Sequence, residues 1–219
     1  MTSDGFYEKA SLYWSKVECD DNGMLGGLAQ VSEIDIEDSK EFFNLIVETM
    51  ELNYRNCLDC GAGIGRVTKH LLAFKYDTVD LVESNPKFLL HAKSSNLKGL
   101  NVGEFYCSSL HLFNFHKKYD CIWIQWVSSQ LFNPDYISFL ERAALALEKD
   151  GIIVVKENIL RSNGEDEIVM DEVDYSFTRS DAGFKKLFSS AKLKVIQEQV
   201  QSNWPKNLFP VKSYALCPE

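Results

Sequence analysis

The chain has 219 residues, 45% of them hydrophobic and 25% charged, which is enough for one globular domain with a sizeable core. Its formal net charge of −9 argues against a protein that grips nucleic acid, whose phosphates are held by Lys and Arg, and suits a cationic substrate better. The longest apolar runs are too short to cross a bilayer, Met1-Thr-Ser-Asp-Gly lacks the basic and apolar regions of a signal peptide, and the six cysteines are not a dense secreted framework, so a soluble intracellular protein with reduced thiols is expected.

In chain order, residues 6–15 are expected to be helical with an aromatic face of Phe6, Tyr13 and Trp14. Asp20-Asp-Asn-Gly and Gly26-Gly bracket a flexible loop around Met24 and Leu25. Phe42, Phe43, Ile46, Val47 and Met50 recur at helical spacing and predict a helix from Ser39 to about Leu52, capped by Asp38 or Ser39. Short apolar runs then alternate with amphipathic ones: strand 56–60, helix 64–75, strand 78–83, helix 86–95, strands 103–107 and 119–125, helix 133–149, strand 151–157. Such alternation implies parallel βαβ units and a sheet covered on both faces. After an acidic loop at 164–174 come a helix at 180–191 and strands 193–201 and 211–217, which are expected to pair as an antiparallel edge. With no repeat and no low-complexity linker, 1–219 reads as a single domain.

The sharpest motif is Asp59-Cys-Gly61-Ala-Gly63-Ile-Gly65-Arg66, a glycine-rich turn between an apolar strand and an amphipathic helix. Glycine lets the backbone turn tightly and a ligand approach without Cβ atoms in the way. The dinucleotide fingerprint is G-x-G-x-x-G, whereas this turn is G-x-G-x-G preceded by an acid, the form associated with S-adenosylmethionine. Cys57 and Cys60 form a C-x-x-C, but no second Cys or His pair stands at zinc-site spacing, and on a strand the two sulfurs point to opposite faces; no metal is expected.

Glu83 ends the second apolar strand, where a carboxylate can accept hydrogen bonds from both ribose hydroxyls of an adenosine ligand. Ser84 and Asn85 follow it, and Pro86 starts a helix. Gln125 and Trp126 close the run Tyr119-Asp-Cys-Ile-Trp-Ile at the carboxyl edge of the sheet, where ligand crevices lie; they are candidates for the methionine part of the cofactor or for substrate. Trp123 reads as core. Glu157 and Asn158 end the next strand, and Asp171-Glu172-Val-Asp174 follows. These acids either form a solvated surface or surround a cationic amine and deprotonate it.

Tyr13-Trp14, Gly23-Met-Leu-Gly-Gly27, the glycine turn, Ile122-Trp-Ile-Gln-Trp-Val127, Gly151-Ile-Ile-Val-Val-Lys-Glu-Asn158 and Pro210-Val-Lys-Ser-Tyr-Ala-Leu216 occur in this order. Together they resemble the protein N-terminal Xaa-Pro-Lys methyltransferases, also called alpha N-terminal protein methyltransferases. The resemblance implies an α/β class I S-adenosylmethionine-dependent methyltransferase fold: a Rossmann-like seven-stranded sheet with an antiparallel last strand and helices on both faces. Residues 1–52 would be an N-terminal helical extension with a substrate-covering loop, and 53–219 the Rossmann-like core. It implies methylation of the α-amino group of proteins with exposed N-terminal Xaa-Pro-Lys or Xaa-Pro-Arg. The partners it suggests are ribosomal or chromatin-type proteins in cytoplasm or nucleus, met by an enzyme that is a monomer.

Carried over by position, Gly61, Gly63, Arg66, Glu83, Ser84, Asn85, Leu110, His111 and Gln125 would meet S-adenosylmethionine. Trp14, Leu25, Trp126, Asn158, Asp171 and Asp174 would line the peptide channel, with Asp174 as general base aided by Asn158 and Gln130. The sequence departs from the family's pattern at Ser129-Gln130, where a glycine-histidine pair is usual, and glutamine cannot titrate. Glu83 replaces a frequent Asp and His111 a frequent Gln; Leu28 stands where an aromatic is expected, Phe209 where Tyr is common, and Lys206-Asn207 where acids are often found. The competing readings are a catalytically weak relative that binds cofactor and partner as a scaffold, a small-molecule methyltransferase, and, against the glycine spacing, a nicotinamide dehydrogenase.

Overall fold

Each of the seven runs expected to be a strand becomes one, and those seven join one sheet. The computed structural model describes residues 3–161 and 165–219, so position 164, the first of the acidic stretch, lies outside the described residues. The strands are β1 (Asn56–Cys60), β2 (Thr78–Glu83), β3 (Val102–Cys107), β4 (Tyr119–Gln125), β5 (Leu147–Asn158), β6 (Ile168–Asp171), β7 (Ser176–Arg179), β8 (Leu193–Val200) and β9 (Val211–Pro218). Seven of them form a sheet in the order β3-β2-β1-β4-β5-β9-β8. Neighbours from β3 to β5 pair in parallel, while β9 runs antiparallel to both β5 and β8. The last strand is thus the inverted one, inserted inside the sheet, and β8 is left at the edge.

The helices are α1 (Ser3–Ser15), α2 (Asp21–Met24), α3 (Ser32–Thr49), α4 (Arg66–His70), α5 (Pro86–His91), α6 (Asn133–Leu145) and α7 (Asp181–Ser190). Strand alternation sends Leu58, Cys60, Ile122, Ile124, Ile153 and Val155 to one face, against Tyr136, Phe139 and Leu140 of α6 and Phe184 and Phe188 of α7. Cys57, Val79, Cys121, Trp123, Ile152 and Val154 go to the other, against Phe42, Phe43 and Ile46 of α3. Cys57 and Cys60 therefore lie on opposite faces, and burial raises both thiols well above the ordinary range. Among the described residues no helix is long and apolar enough to cross a membrane.

Several expectations need correction. The helix expected over 64–75 breaks at Leu71 into α4 and a 3-10 turn at Leu72–Phe74, and the loop expected around Met24 contains α2. The helix expected from Ser39 begins at Ser32, so Asp38 and Ser39 are interior rather than caps. They are buried because their polar groups are met by Lys156 of β5. The acidic stretch becomes a strand at Ile168: β6 pairs with β7 in a two-stranded antiparallel hairpin, Ile168 opposite Arg179 and Asp171 opposite Ser176. The helix expected to reach 149 ends at Leu145, because β5 already starts at Leu147.

Outside the sheet, α1 is held by aromatic packing. Phe6 is fully buried, stacked on Phe177 at 5.0 Å and edge-on to Phe132 at 4.7 Å. Tyr7 stacks on His111 at 4.0 Å and donates its hydroxyl to Asp135 of α6. These contacts lay the helix across the carboxyl ends of the central strands.

Candidate active site

The glycine turn after β1 is left-handed at three places, with φ of +64° at Gly61, +55° at Gly63 and +79° at Gly65. A Cβ on Gly61 would stand 2.3 Å from Val127 Cγ2, so the turn and the residues just beyond β4 touch there without room for a methyl. The N–H groups of Gly61 and Ala62 donate to the Val82 carbonyl at 2.8 and 3.2 Å, pinning the turn to β2. Glu83, at the end of that strand, accepts from the N–H of Gly63 at 3.0 Å and of Asn85 at 2.7 Å and from the Ser84 hydroxyl at 3.2 Å. Burial nonetheless leaves its carboxyl above the ordinary glutamate value. Asp59 is pushed up to about 6 by burial, opposed by the Thr68 hydroxyl donating at 2.6 Å.

These groups wall a cavity of about 730 Å³, within the size range of small-molecule sites. One side is the glycine turn with Glu83, Ser84 and Asn85; another is Ser108 to Leu112, including Leu110 and His111; Gln125, Trp126 and Gln130 close a third. Tyr7, Ser11 and Trp14 of α1 cover it. The helix is tied down at its far end: Asn85 Nδ2 donates to the Trp14 carbonyl at 3.1 Å, and Lys87 Nζ to that of Val17 at 2.8 Å.

Arg66 also lines the cavity, its guanidinium 2.7 Å from Asp35 Oδ2 and 5.5 Å from the Trp126 ring. Gln125 is more committed than its position in the sequence suggests. Its carbonyl accepts from Trp123 Nε1 at 2.9 Å and its nitrogen donates to both Asp35 oxygens.

The remaining candidates lie outside the cavity wall. Leu25 is buried, and its neighbour Met24 faces the cavity instead. Asn158 ends β5, its N–H donating to Glu157 Oε1 at 3.1 Å. Asp171 is exposed and accepts from the Val173 N–H at 2.7 Å, whereas Asp174 is half-buried, accepts from the Ser176 hydroxyl at 2.7 Å and is raised by burial. The β6–β7 turn nevertheless approaches the site. Burial first, and then the charges of Asp174 and Asp171, raise the Tyr13 phenol, and the Tyr13 ring sits 5.4 Å from that of Trp14 in the cavity wall. Among the described residues, no group of three His, Cys, Asp or Glu side chains could hold a metal.

Sequence reasoning passed over Asp35, Tyr7 and Lys156. Lys156 carried a signal, a lysine directly after the apolar run Ile152–Val155 in the same strand, but helix and strand periodicity weighs apolar residues and is blind to paired charges.

Residues 2–217 match the family described as AdoMet dependent proline di-methyltransferase. The chain belongs to this family. It is 45% identical, over 97% of its own length and 80% of the other's, to alpha N-terminal protein methyltransferase 1 of Dictyostelium discoideum. With N-terminal Xaa-Pro-Lys N-methyltransferase 1-A of Xenopus laevis it shares 38% identity over 96% of this chain and 95% of that one. A solved SAM-dependent methyltransferase from Leishmania major superposes with a TM-score of 0.89 at 39% identity, covering 96% of this chain and 82% of that one.

The protein is therefore an S-adenosylmethionine-dependent methyltransferase, and its cavity fits that cofactor. The left-handed turn brings Gly61 and Gly63 to the cavity wall, and Glu83 presents a carboxylate where ribose hydroxyls are met. Arg66 offers a buried cation to the amino-acid end. Bound there, S-adenosylmethionine supplies a methyl group on a positively charged sulfur.

Proposed function

We propose that this methyltransferase acts on the α-amino group of proteins that expose Xaa-Pro-Lys or Xaa-Pro-Arg at their N-terminus. The observation that carries the reading is the half-buried Asp174 carboxylate beside Tyr13, next to the Trp14 wall of the cofactor cavity. Relatives of this length bear the name N-terminal Xaa-Pro-Lys N-methyltransferase, which agrees with it.

Displacement at the sulfonium methyl needs a neutral nitrogen lone pair, while an α-amino group, with a pKa of about 7.7–8.0, is mostly protonated at neutral pH. Asp174 takes that proton, and its burial-raised carboxyl is a stronger base than an exposed aspartate. Asn158, at the strand end, orients the amine or the first peptide group, and the exposed Asp171 attracts the cationic third residue. Trp126 and Trp204, whose ring centroids pack 6.1 Å apart, offer an apolar surface for a proline, whose fixed φ leaves little entropy to lose on binding. Gln130 contributes a hydrogen-bonding amide and no proton transfer. The finer proposals are that substrates include ribosomal or chromatin-type proteins, met in the cytoplasm or nucleus by a monomeric enzyme.

Gln130 also favours a second reading, a cofactor-binding scaffold that turns over slowly. Methyl transfer from labelled S-adenosylmethionine to a Ser-Pro-Lys-led peptide and to its α-acetylated twin, read by mass spectrometry, decides between them. Methylation of the free peptide alone, reduced on the order of 10²-fold or more in Asp174→Asn, is the expected result. Cofactor binding with no methyl transfer would hand the case to the scaffold.

A further inference from the structure

Four charged side chains meet behind the cavity wall: Asp35 and Asp38 of α3, Lys156 of β5 and Arg66 at the start of α4, none more than 5% exposed. Lys156 Nζ lies 2.8 Å from Asp35 Oδ1 and 3.0 Å from Asp38 Oδ2, and donates to the Ser39 hydroxyl at 2.9 Å and the Asp35 carbonyl at 3.0 Å. The second Asp35 oxygen pairs with Arg66 at 2.7 Å, and Gln125 Nε2 donates to both carboxylate oxygens at 2.9 and 2.8 Å.

Two acids face two bases, so the group is neutral and each ion is met. Buried ion pairs of this kind are poor sources of net stability, because desolvation offsets most of the attraction. Their use is to fix geometry. Asp35 is the member that touches Lys156, Arg66 and Gln125 together; Arg66 and Gln125 line the cofactor cavity, and Asp35 and Lys156 do not.

We propose that Asp35 is a positioning residue for cofactor binding: it sets the Arg66 guanidinium and the Gln125 carboxamide at the amino-acid end of the cofactor, and Lys156 locks Asp35 in place. The proposal rests on the cofactor site described above. It makes α3, which precedes the first strand of the sheet, part of the cofactor site rather than a cover for substrate alone. It also explains an ionised cluster where well-packed apolar residues would do as well for stability.

The test compares two ligands on the full chain by titration calorimetry. S-adenosylhomocysteine carries the amino-acid end; 5′-methylthioadenosine keeps the adenosine and the sulfur and lacks it. In Asp35→Asn the first ligand is expected to weaken about tenfold or more, the scale of a lost hydrogen bond to a charged group, and the second by less than about twofold. Equal weakening of both ligands would mean that Asp35 only supports the fold, and unchanged affinity for S-adenosylhomocysteine would mean that it positions nothing; either overturns the proposal. Should Asp35→Asn not fold, Asp35→Glu keeps the charge and displaces it by one methylene, and the same ratio is read. A wild-type chain that binds neither ligand overturns the cofactor site itself, and this inference with it.

Discussion

Glu83, at the end of β2, accepts a hydrogen bond from the backbone N–H of Gly63 at 3.0 Å, so one carboxylate oxygen braces the glycine turn from the neighbouring strand. The other accepts from Asn85 and Ser84. A single side chain thereby fixes the turn and offers negative charge to the cavity. Glu83→Gln keeps the size and one acceptor oxygen but loses the charge that roughly doubles the strength of such bonds. S-adenosylhomocysteine is expected to bind about tenfold to a hundredfold more weakly, and the thermal midpoint of the unliganded protein to fall as well, because the glutamine NH2 must face at least one of the donors that now meet the carboxylate. Wild-type affinity in that variant would show that Glu83 serves the turn and not the ligand.

The two cavity glycines should not behave alike. A non-glycine residue at positive φ costs about 1–2 kcal/mol at either site. At Gly61 the added methyl also meets Val127 Cγ2 at 2.3 Å, a β-branched side chain two residues beyond β4. At Gly63 the nearest atom is Met24 Sδ at 2.7 Å, on a side chain flexible enough to turn away. Gly61→Ala should lower the thermal midpoint clearly more than Gly63→Ala does, while both weaken cofactor affinity. Equal midpoints would mean that the Val127 contact relaxes freely.

What could be read from the sequence and what could not has a physical basis. β1, β2, β4 and β5 were legible because a parallel sheet is buried on both faces and leaves continuous apolar runs such as Ile152–Val155, whereas β3, at the sheet edge, has no buried residue. The glycine turn and Glu83 were legible because few residue types satisfy those backbone and charge demands. The first turns of α3 were not, since Asp35 and Asp38 look like solvent-facing residues until Arg66 and Lys156 are brought to them by the fold. Nor was the β6–β7 hairpin, whose Ile168 and Val169 remain about half exposed, 47% and 54%, and show no alternation of inside and outside.

Phe6 is the anchor of α1, buried against Phe132 and Phe177, and α1 brings Ser11 and Trp14 to the cavity. Emptying a buried phenylalanine site costs about 3–5 kcal/mol, more than a short peripheral helix can absorb while docked. Phe6→Ala is therefore expected to release α1 without unfolding the sheet. Amide hydrogen exchange should become fast across 5–15 and stay slow in β1 and β4, and affinity for S-adenosylhomocysteine should fall at least about tenfold. Unchanged exchange across α1 would place its anchor elsewhere, in the Tyr7 contacts with His111 and Asp135.

Glu157 gives the protein a pH-dependent stability. Burial pushes its carboxyl from the ordinary 4.5 up to about 7, against the Ser128 hydroxyl, the backbone N–H groups of Asn158 and Ser129, and the charge of Arg179, all of which lower it. The folded state therefore holds this proton more tightly than the unfolded chain. Between about pH 4.5 and 7 it binds more protons than the unfolded state, so this group's contribution to stability falls as pH rises and levels off above 7. Glu157→Gln removes that dependence and keeps an oxygen for Ser128. Urea midpoints at successive pH values from 5 to 8 should show the variant gaining on the wild type up to neutrality, with a constant gap beyond it. Parallel curves across the whole range would mean that Glu157 is already ionised at the acid end. Ser128 and the Ser129 N–H would then have outweighed its burial.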